Sequence, residues 1–227
     1  MIRAVVFDLD GLMFDTEALF FRVSSEALAA RGKSFTTEIM QALLGRRSIE
    51  VAQTLKTLAG PDEPVEDLLA EVRERFYAVM DSAVHPTAGL FVLLDRLKRR
   101  ALPVAVATSS RRSYAGRLLA RHGLEDRFDF VLASEDVTVG KPDPEIYRRA
   151  AERFGVPAGS MLVLEDSPAG LAAAKAAGAI AVVVPHEHSP ALGLIAADLV
   201  VPRLDDPALL HLIEGEGRER GPDEPQP

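Results

Sequence analysis

Short apolar runs and stretches of helical periodicity alternate along most of the chain. The runs are Ala4–Leu9, Val104–Thr108, Phe130–Ala133, Met161–Leu164, Ile180–Val184 and Leu199–Val201, each followed by acid, hydroxyl or proline residues. Such near-continuous apolar character suits parallel strands buried on both faces. Between them, apolar residues recur at helical spacing over Leu90–Arg100, Arg112–His122, Pro144–Phe154 and Pro168–Ala177. Gly123 and Gly178 stand where a helix end favours a left-handed residue. Strand–helix alternation of this kind predicts right-handed crossovers and an α/β fold with an open, doubly wound parallel sheet.

One stretch breaks the rhythm. From about Thr16 to Ala83 no strand-like run occurs, and Leu19, Phe20, Val23, Ala27 and Ala30 recur at helical spacing. So do Val65, Leu68, Leu69, Val72, Phe76, Val79 and Met80, after the helix-opening Pro64. The pattern predicts an all-helical module, residues 16–83, inserted after the first strand of a core made of residues 1–15 and 84–213. Residues 214–227, rich in Gly, Pro and charge, read as a flexible tail.

Composition narrows the function. The 227 residues carry 26 Lys+Arg against 34 Asp+Glu, a formal net charge of −8. A diffuse nucleic-acid binder needs the opposite sign to displace counterions from phosphates. Cysteine is absent, which excludes a disulfide framework, a thiolate zinc site, an iron–sulfur cluster and a cysteine nucleophile. The longest weakly polar run, Leu171 to Pro185, contains Lys175 and falls short of a membrane span, and the N-terminal run is too short for a signal peptide. A cytoplasmic monomer without membrane or nucleic-acid partners is expected.

In a doubly wound sheet, ligands sit beyond the carboxyl ends of the strands. The first run ends in Asp8-Leu9-Asp10-Gly11. Residues two apart in extended backbone point to the same side, so Asp8 and Asp10 could share a site, with Gly11 permitting a sharp turn. The second ends in Thr108-Ser109-Ser110-Arg111-Arg112. These are either donors to an anion at a helix start or a Ser cap beside a solvated arginine pair. The fourth ends in Glu165-Asp166-Ser167-Pro168. Ser167 as N-cap and Pro168 at the first helical position explain themselves; two acids at a buried strand end do not. Lys141 lies between Gly140 and Pro142-Asp143-Pro144, where prolines stiffen the loop. Glu135-Asp136 also follows a strand, a reminder that acids often end strands only to face water.

Together, Asp8, Asp10, Glu165 and Asp166 would converge at one sheet edge with a hydroxyl and a lysine. Two carboxylates ~4–5 Å apart repel by roughly 3–4 kcal/mol at an effective dielectric near 20, so such a cluster calls for a cation or a proton. Hard oxygen ligands favour Mg²⁺ over zinc, and Mg²⁺ with a lysine neutralises a phosphoryl group. The constellation reads as a phosphoryl-transfer site.

From Ile2 to about Val201 the chain resembles the haloacid dehalogenase (HAD) superfamily, phosphatase branch, with a small helical cap. Four motifs occur in that family's order: Asp8-Leu9-Asp10-Gly11 through Asp15-Thr16-Glu17, then Thr108-Ser109-Ser110, then Gly140-Lys141-Pro142-Asp143-Pro144, then Glu165-Asp166-Ser167. The resemblance implies that Asp8 is a nucleophile forming an aspartyl-phosphate and that Asp10 is the general acid and base. It implies Mg²⁺ held by Asp8, the main-chain carbonyl of Asp10 and Asp166, with Glu165 joining directly or through water. Thr108 and Ser109 would bind the phosphoryl oxygens, with Ser110 beside them, and Lys141 would stabilise their charge.

The insertion corresponds to the family's cap, hinged near Thr16 and Ala83–Thr87, and Thr87-Ala88-Gly89 departs from the Pro-Gly that relatives often carry. Arg46 and Arg47 open a stretch where family members contact substrate, or form a solvated basic pair. Arg111 and Arg112 could hold a second part of the substrate. The implied activity is hydrolysis of a small phosphorylated metabolite, a sugar phosphate or nucleoside monophosphate. The alternative is a β-phosphoglucomutase-type mutase. That branch usually carries a histidine on the first cap helix, where this chain has Leu19-Phe20-Phe21. A phospho-aspartate signalling module is a third class, but such modules are about half as long and lack the insertion.

Overall fold

The computed structural model describes residues 1–43, 64–186, 189 and 195–214. Six strands form one sheet in the order β3-β2-β1-β4-β5-β6. They are β1 (Ala4–Phe7), β2 (Val104–Ala107), β3 (Phe130–Leu132), β4 (Met161–Glu165), β5 (Ile180–Val183) and β6 (Leu199–Val200). Every pairing is parallel, as predicted from runs apolar on both faces.

Period-two alternation divides these strands between two cores. Val5, Phe7, Val106, Leu162 and Leu164 point to one face, where α4 (Leu90–Arg99), α5 (Arg112–Arg121) and α8 (Pro207–Glu214) lie. Ala4, Val6, Met161, Val163 and Ala181 point to the other, covered by α6 (Glu145–Phe154) and α7 (Pro168–Ala177). With both faces buried, no strand register can slip without exposing one apolar set. Chain order reverses direction at β1, and β1 and β4 lie side by side at the centre of the sheet. Their carboxyl ends therefore flank the crevice where such sheets bind ligands.

Among the described residues, three helices lie between β1 and α4: α1 (Thr16–Ala29), α2 (Thr37–Leu43) and α3 (Val65–Ala83). Leu19, Val23 and Ala27 of α1 and Leu68, Val72, Phe76 and Met80 of α3 recur every three or four residues, and all are buried. Arg31 and Glu71, 2.7 Å apart, close one edge of this pair. The chain leaves and rejoins the core along two tied segments: Phe14 bridges Pro86, and the Asp15 N–H donates to the His85 carbonyl at 3.0 Å. Thr87 belongs to that tie, its N–H donating to the Met13 carbonyl at 2.9 Å and its hydroxyl to the Leu12 carbonyl. A proline would lose the first bond.

Each strand ends one or two residues away from its predicted run, and two of the shifted boundaries have a visible cause. β1 stops at Phe7, because Leu9 accepts from the N–H groups of Met13 and Phe14 and so belongs to a turn. Glu214 is the last residue of α8, not tail, and pairs with Arg96 at 2.6 Å; residues 215–227 lie outside the described residues. Among the described residues, no helix is long and apolar enough to cross a membrane.

Candidate active site

Asp8 is the first residue past β1, and its N–H still donates to the Leu164 carbonyl of β4 at 3.0 Å. That bond fixes the carboxylate beside the end of β4. The Lys141 ammonium reaches it from the loop before α6, donating also to Glu165 Oε1 at 2.7 Å and to the Ala107 carbonyl at 3.0 Å. Lys141 is only 2% exposed and Glu165 0%, so these charges have one another and little water.

Glu165 is saturated by protein donors. Oε1 takes the Lys141 ammonium and the Tyr147 hydroxyl, while Oε2 accepts from the Asp166 N–H at 3.2 Å and the Ser167 hydroxyl at 3.1 Å. Ser167 caps α7 as predicted, accepting from the Gly170 N–H at 3.1 Å. Gly170 itself is required, because a Cβ there would sit 1.8 Å from Glu165 Oε1.

Asp8, Glu165 and Asp166 can bring one oxygen each to within 4.8 Å of one another. Burial pushes the Asp8 carboxyl well above the usual carboxylate range; Lys141 opposes this, while Glu165, Asp166 and Asp10 add to it. Burial likewise raises Asp166, reinforced by Glu165. For Lys141, burial works against the charge, yet Asp8 and Glu165 overcome it and hold the ammonium above its ordinary value. Three buried carboxylates thus face one ammonium. A hard divalent cation fits this oxygen donor set, and Asp8 and Asp166 are the carboxylates best able to hold it, since Glu165 is already engaged.

Asp10 does not join that cluster. The turn after it runs through Gly11 at φ +78°, where a Cβ would lie 2.2 Å from Asp166 Oδ2. The Asp10 carboxylate instead accepts from the Ser110 hydroxyl at 2.6 Å and the Tyr114 hydroxyl at 2.9 Å, on the wall of the cavity it shares with Asp8. The predicted convergence of four acids is therefore three plus one, because strand alternation no longer applies past Phe7.

At the end of β2, Thr108 is buried and its hydroxyl accepts from the Ser110 N–H at 3.0 Å. Both Ser110 donors are thus used inside the protein, which differs from a direct substrate contact. Ser109 and Arg111 line a cavity of about 500 Å³ that opens from Asp8 and Asp10. Its opposite wall comes from the inserted helices, including Glu17, Phe20, Arg73, Phe76 and Tyr77. Arg112 points elsewhere, pairing with Asp136 and donating to the Val131 carbonyl at 3.1 Å. Glu135 accepts from the Arg112 N–H at 3.1 Å, so the Glu135-Asp136 pair anchors the start of α5 outside the site. Arg46 and Arg47 lie outside the described residues.

Three participants escaped the sequence reading, and a fourth, Glu17, stood in the first motif without a role. Tyr147 lies on the apolar face of α6, and the clue was a hydroxyl that must find a buried partner. Tyr114 has the same signature on α5. Glu17 opens α1, and burial, then Asp166, Asp10 and Asp8, lift its carboxyl well above normal. His186 follows β5, a strand end like the others; its Nε2 is 3.0 Å from Asp166 Oδ2, and Ser189 nearby donates to the Asp166 carbonyl at 2.9 Å.

The sequence matches the haloacid dehalogenase-like hydrolase family over residues 5–184. It is 32% identical over 177 residues to a phosphorylated carbohydrates phosphatase of Thermotoga maritima, covering 78% of this chain and 82% of that one. It is 34% identical over 180 residues to the fructose-1-phosphate phosphatase YqaB of Escherichia coli, covering 79% and 95%. The fold superposes on CbbY of Rhodobacter sphaeroides in complex with phosphate with a TM-score of 0.76, at 29% identity over 90% of this chain and 95% of that one. Sequence match and sheet order agree, and the chain belongs to the haloacid dehalogenase-like hydrolase family.

Proposed function

We propose that this chain is a Mg²⁺-dependent phosphatase that hydrolyses a small phosphomonoester, a sugar phosphate or nucleoside monophosphate, through an aspartyl-phosphate on Asp8. The observation that carries the reading is Asp8 itself, bound by the buried Lys141 ammonium, neighbour to Asp166, and open to a cavity of about 500 Å³. A cavity of that size suits a metabolite-sized ester.

In this reading Asp8 attacks phosphorus, forming a new P–O bond as the bond to the ester oxygen breaks. Asp10 gives its proton to the leaving oxygen, then takes one from the water that cleaves the aspartyl-phosphate. Lys141, Thr108 and the Ser109 N–H hold the transferring oxygens, where preorganised donors act most strongly. Asp8, the Asp10 main-chain carbonyl and Asp166 would hold Mg²⁺, with Glu165 orienting Lys141. A bound Mg²⁺ would supply neutralisation of the acids and of the phosphoryl group.

Residues 16–83 serve in this proposal as the cap, residues 1–15 and 84–213 as the catalytic core. Glu17, Arg73 and Arg111 then face the leaving group, since all three line the cavity. Phe20 lines the cavity where a mutase would carry its histidine, which favours hydrolysis over phosphosugar isomerisation.

A phosphate-release screen over sugar phosphates, nucleoside monophosphates and p-nitrophenyl phosphate, with Mg²⁺ or EDTA, tests the proposal. Asp8→Asn is expected to lower kcat by about 10³-fold or more, as loss of a nucleophile does, while the protein still folds. Full activity in EDTA removes the metal requirement, and substantial turnover by Asp8→Asn overturns the nucleophile. Conversion of β-glucose 1-phosphate to glucose 6-phosphate without phosphate release would indicate the mutase.

A further inference from the structure

The Asp10 carboxylate is held from two sides. Ser110 belongs to the strand-end loop already described, but Tyr114 belongs to α5, and nothing in the four motifs requires it. Its hydroxyl lies 2.9 Å from Asp10 Oδ1. Its ring packs against Phe76 and Tyr77 of α3, each with ring centroids 6.0 Å away, at 56° and 74°. One turn further along α5, Arg117 pairs with Asp81 of α3 at 2.7 Å and lies over the Tyr77 ring at 5.7 Å. The tyrosine is thus braced by the helix that walls the cavity opposite Asp10.

Phenylalanine would satisfy the ring contacts equally well. The hydroxyl, in contrast, has Asp10 as its partner at 2.9 Å, with the phenol donating to the carboxylate oxygen. A carboxyl just past a strand end can turn about two side-chain bonds. Donors on each oxygen restrict both rotations.

We infer that Tyr114 is a positioning residue that aims the Asp10 carboxyl at the ester oxygen. This rests on the acid–base role proposed above for Asp10. An alkoxide leaving group needs Asp10's proton, whereas p-nitrophenolate departs without one. Tyr114 therefore matters for the first step with an alkyl ester and not with p-nitrophenyl phosphate. For the second step, when Asp10 must deprotonate water, it matters with both.

The test is Tyr114→Phe in the full Mg²⁺-loaded protein, with leaving-group release followed in a single turnover for p-nitrophenyl phosphate and for the best alkyl phosphate of the screen. Release of the alcohol is expected to slow by about 10-fold, equivalent to about 1.4 kcal/mol. First-turnover release of p-nitrophenolate stays within about twofold, followed by slower turnover and hence a burst near one product per site. The melting temperature guards against a folding defect. Equal slowing of both first turnovers marks a merely structural tyrosine and overturns the inference, as does no slowing of either. Asp10→Asn separates the two proposals. If it shows the ester-selective loss and Tyr114→Phe does not, only the tyrosine's role fails. If Asp10→Asn spares the alkyl ester, the acid role of Asp10 fails first.

Discussion

Replacing Lys141 by methionine keeps an unbranched apolar stem and removes the ammonium that faces Asp8 and Glu165. At the 2.7 Å separation of Lys141 and Glu165, Coulomb attraction at an effective dielectric of 20 is about 6 kcal/mol. Most of that offsets the cost of taking the charges out of water, and the intact arrangement nets little. Removal of the cation alone leaves Asp8 and Glu165, with side chains 10% and 0% exposed, desolvated and mutually repelling. Breaking a buried pair in this way costs about 3–5 kcal/mol, a large share of the roughly 5–15 kcal/mol that holds a domain folded.

Urea unfolding in EDTA measures it. With a slope of about 2–3 kcal/mol/M, the midpoint for Lys141→Met falls by about 1–2.5 M near pH 7. Without the lysine, whose charge opposes the upward push of burial on Asp8 and Asp166, those two carboxyls bind protons more tightly in the folded state, so part of the loss returns near pH 5. Adding Glu165→Gln removes one of the stranded charges, and the double variant should lose less than the sum of the two single changes. A midpoint shift under about 0.3 M, or the same shift at both pH values, would refute the view that Lys141 is held by charge rather than by its stem.

Gly11→Ala forces a side chain onto a residue at φ +78° with its Cβ 2.2 Å from Asp166 Oδ2. The backbone term costs about 1–2 kcal/mol, and turnover should fall further than melting temperature predicts, because both Asp10 and Asp166 must shift; an unchanged kcat contradicts this. Asp8, Asp166 and Glu17 are raised chiefly by burial above ordinary values of 3.8, 3.8 and 4.5. Their folding contribution is full below those values and is lost as pH rises through the raised ones. Metal-free protein should therefore gain more melting temperature from added Mg²⁺ near pH 7.5 than near pH 5.5, and the reverse order would count against Asp8 and Asp166 as the binding site.

The alternation of buried runs and helical stretches was enough to place six parallel strands, because continuous apolar runs have few other uses in a chain of this charge. Strand ends then pointed to Asp8, Thr108, Glu165 and Asp166, and the proline-flanked loop to Lys141, without any distance. Hydrogen bonds that cross between elements stayed invisible. Tyr147 and Glu165 are 18 positions apart and Tyr114 and Asp10 are 104 apart, and periodicity carries no information about which hydroxyl finds which carboxylate. The Asp10 carboxylate lies outside the three-acid cluster for a more local reason. The alternation rule holds only while the backbone is extended, and here it ends at Phe7, one residue before the chemistry begins.

That early end has a chemical consequence. Had Asp10 continued the strand, its carboxylate would have joined Asp8, Glu165 and Asp166, and one more buried negative charge would have shared one lysine. Turning at Gly11 instead gives two carboxylates of one short motif opposite surroundings. Asp8 is matched to an ammonium, whose charge opposes the upward push of burial on its carboxyl; Asp10 is matched to two hydroxyls, which orient it from both oxygens. Acid–base and nucleophilic work ask for that division. Acidity in this chain is therefore compatible with binding an anion, because the sign of the field is set residue by residue at the strand ends and not by the net charge of −8.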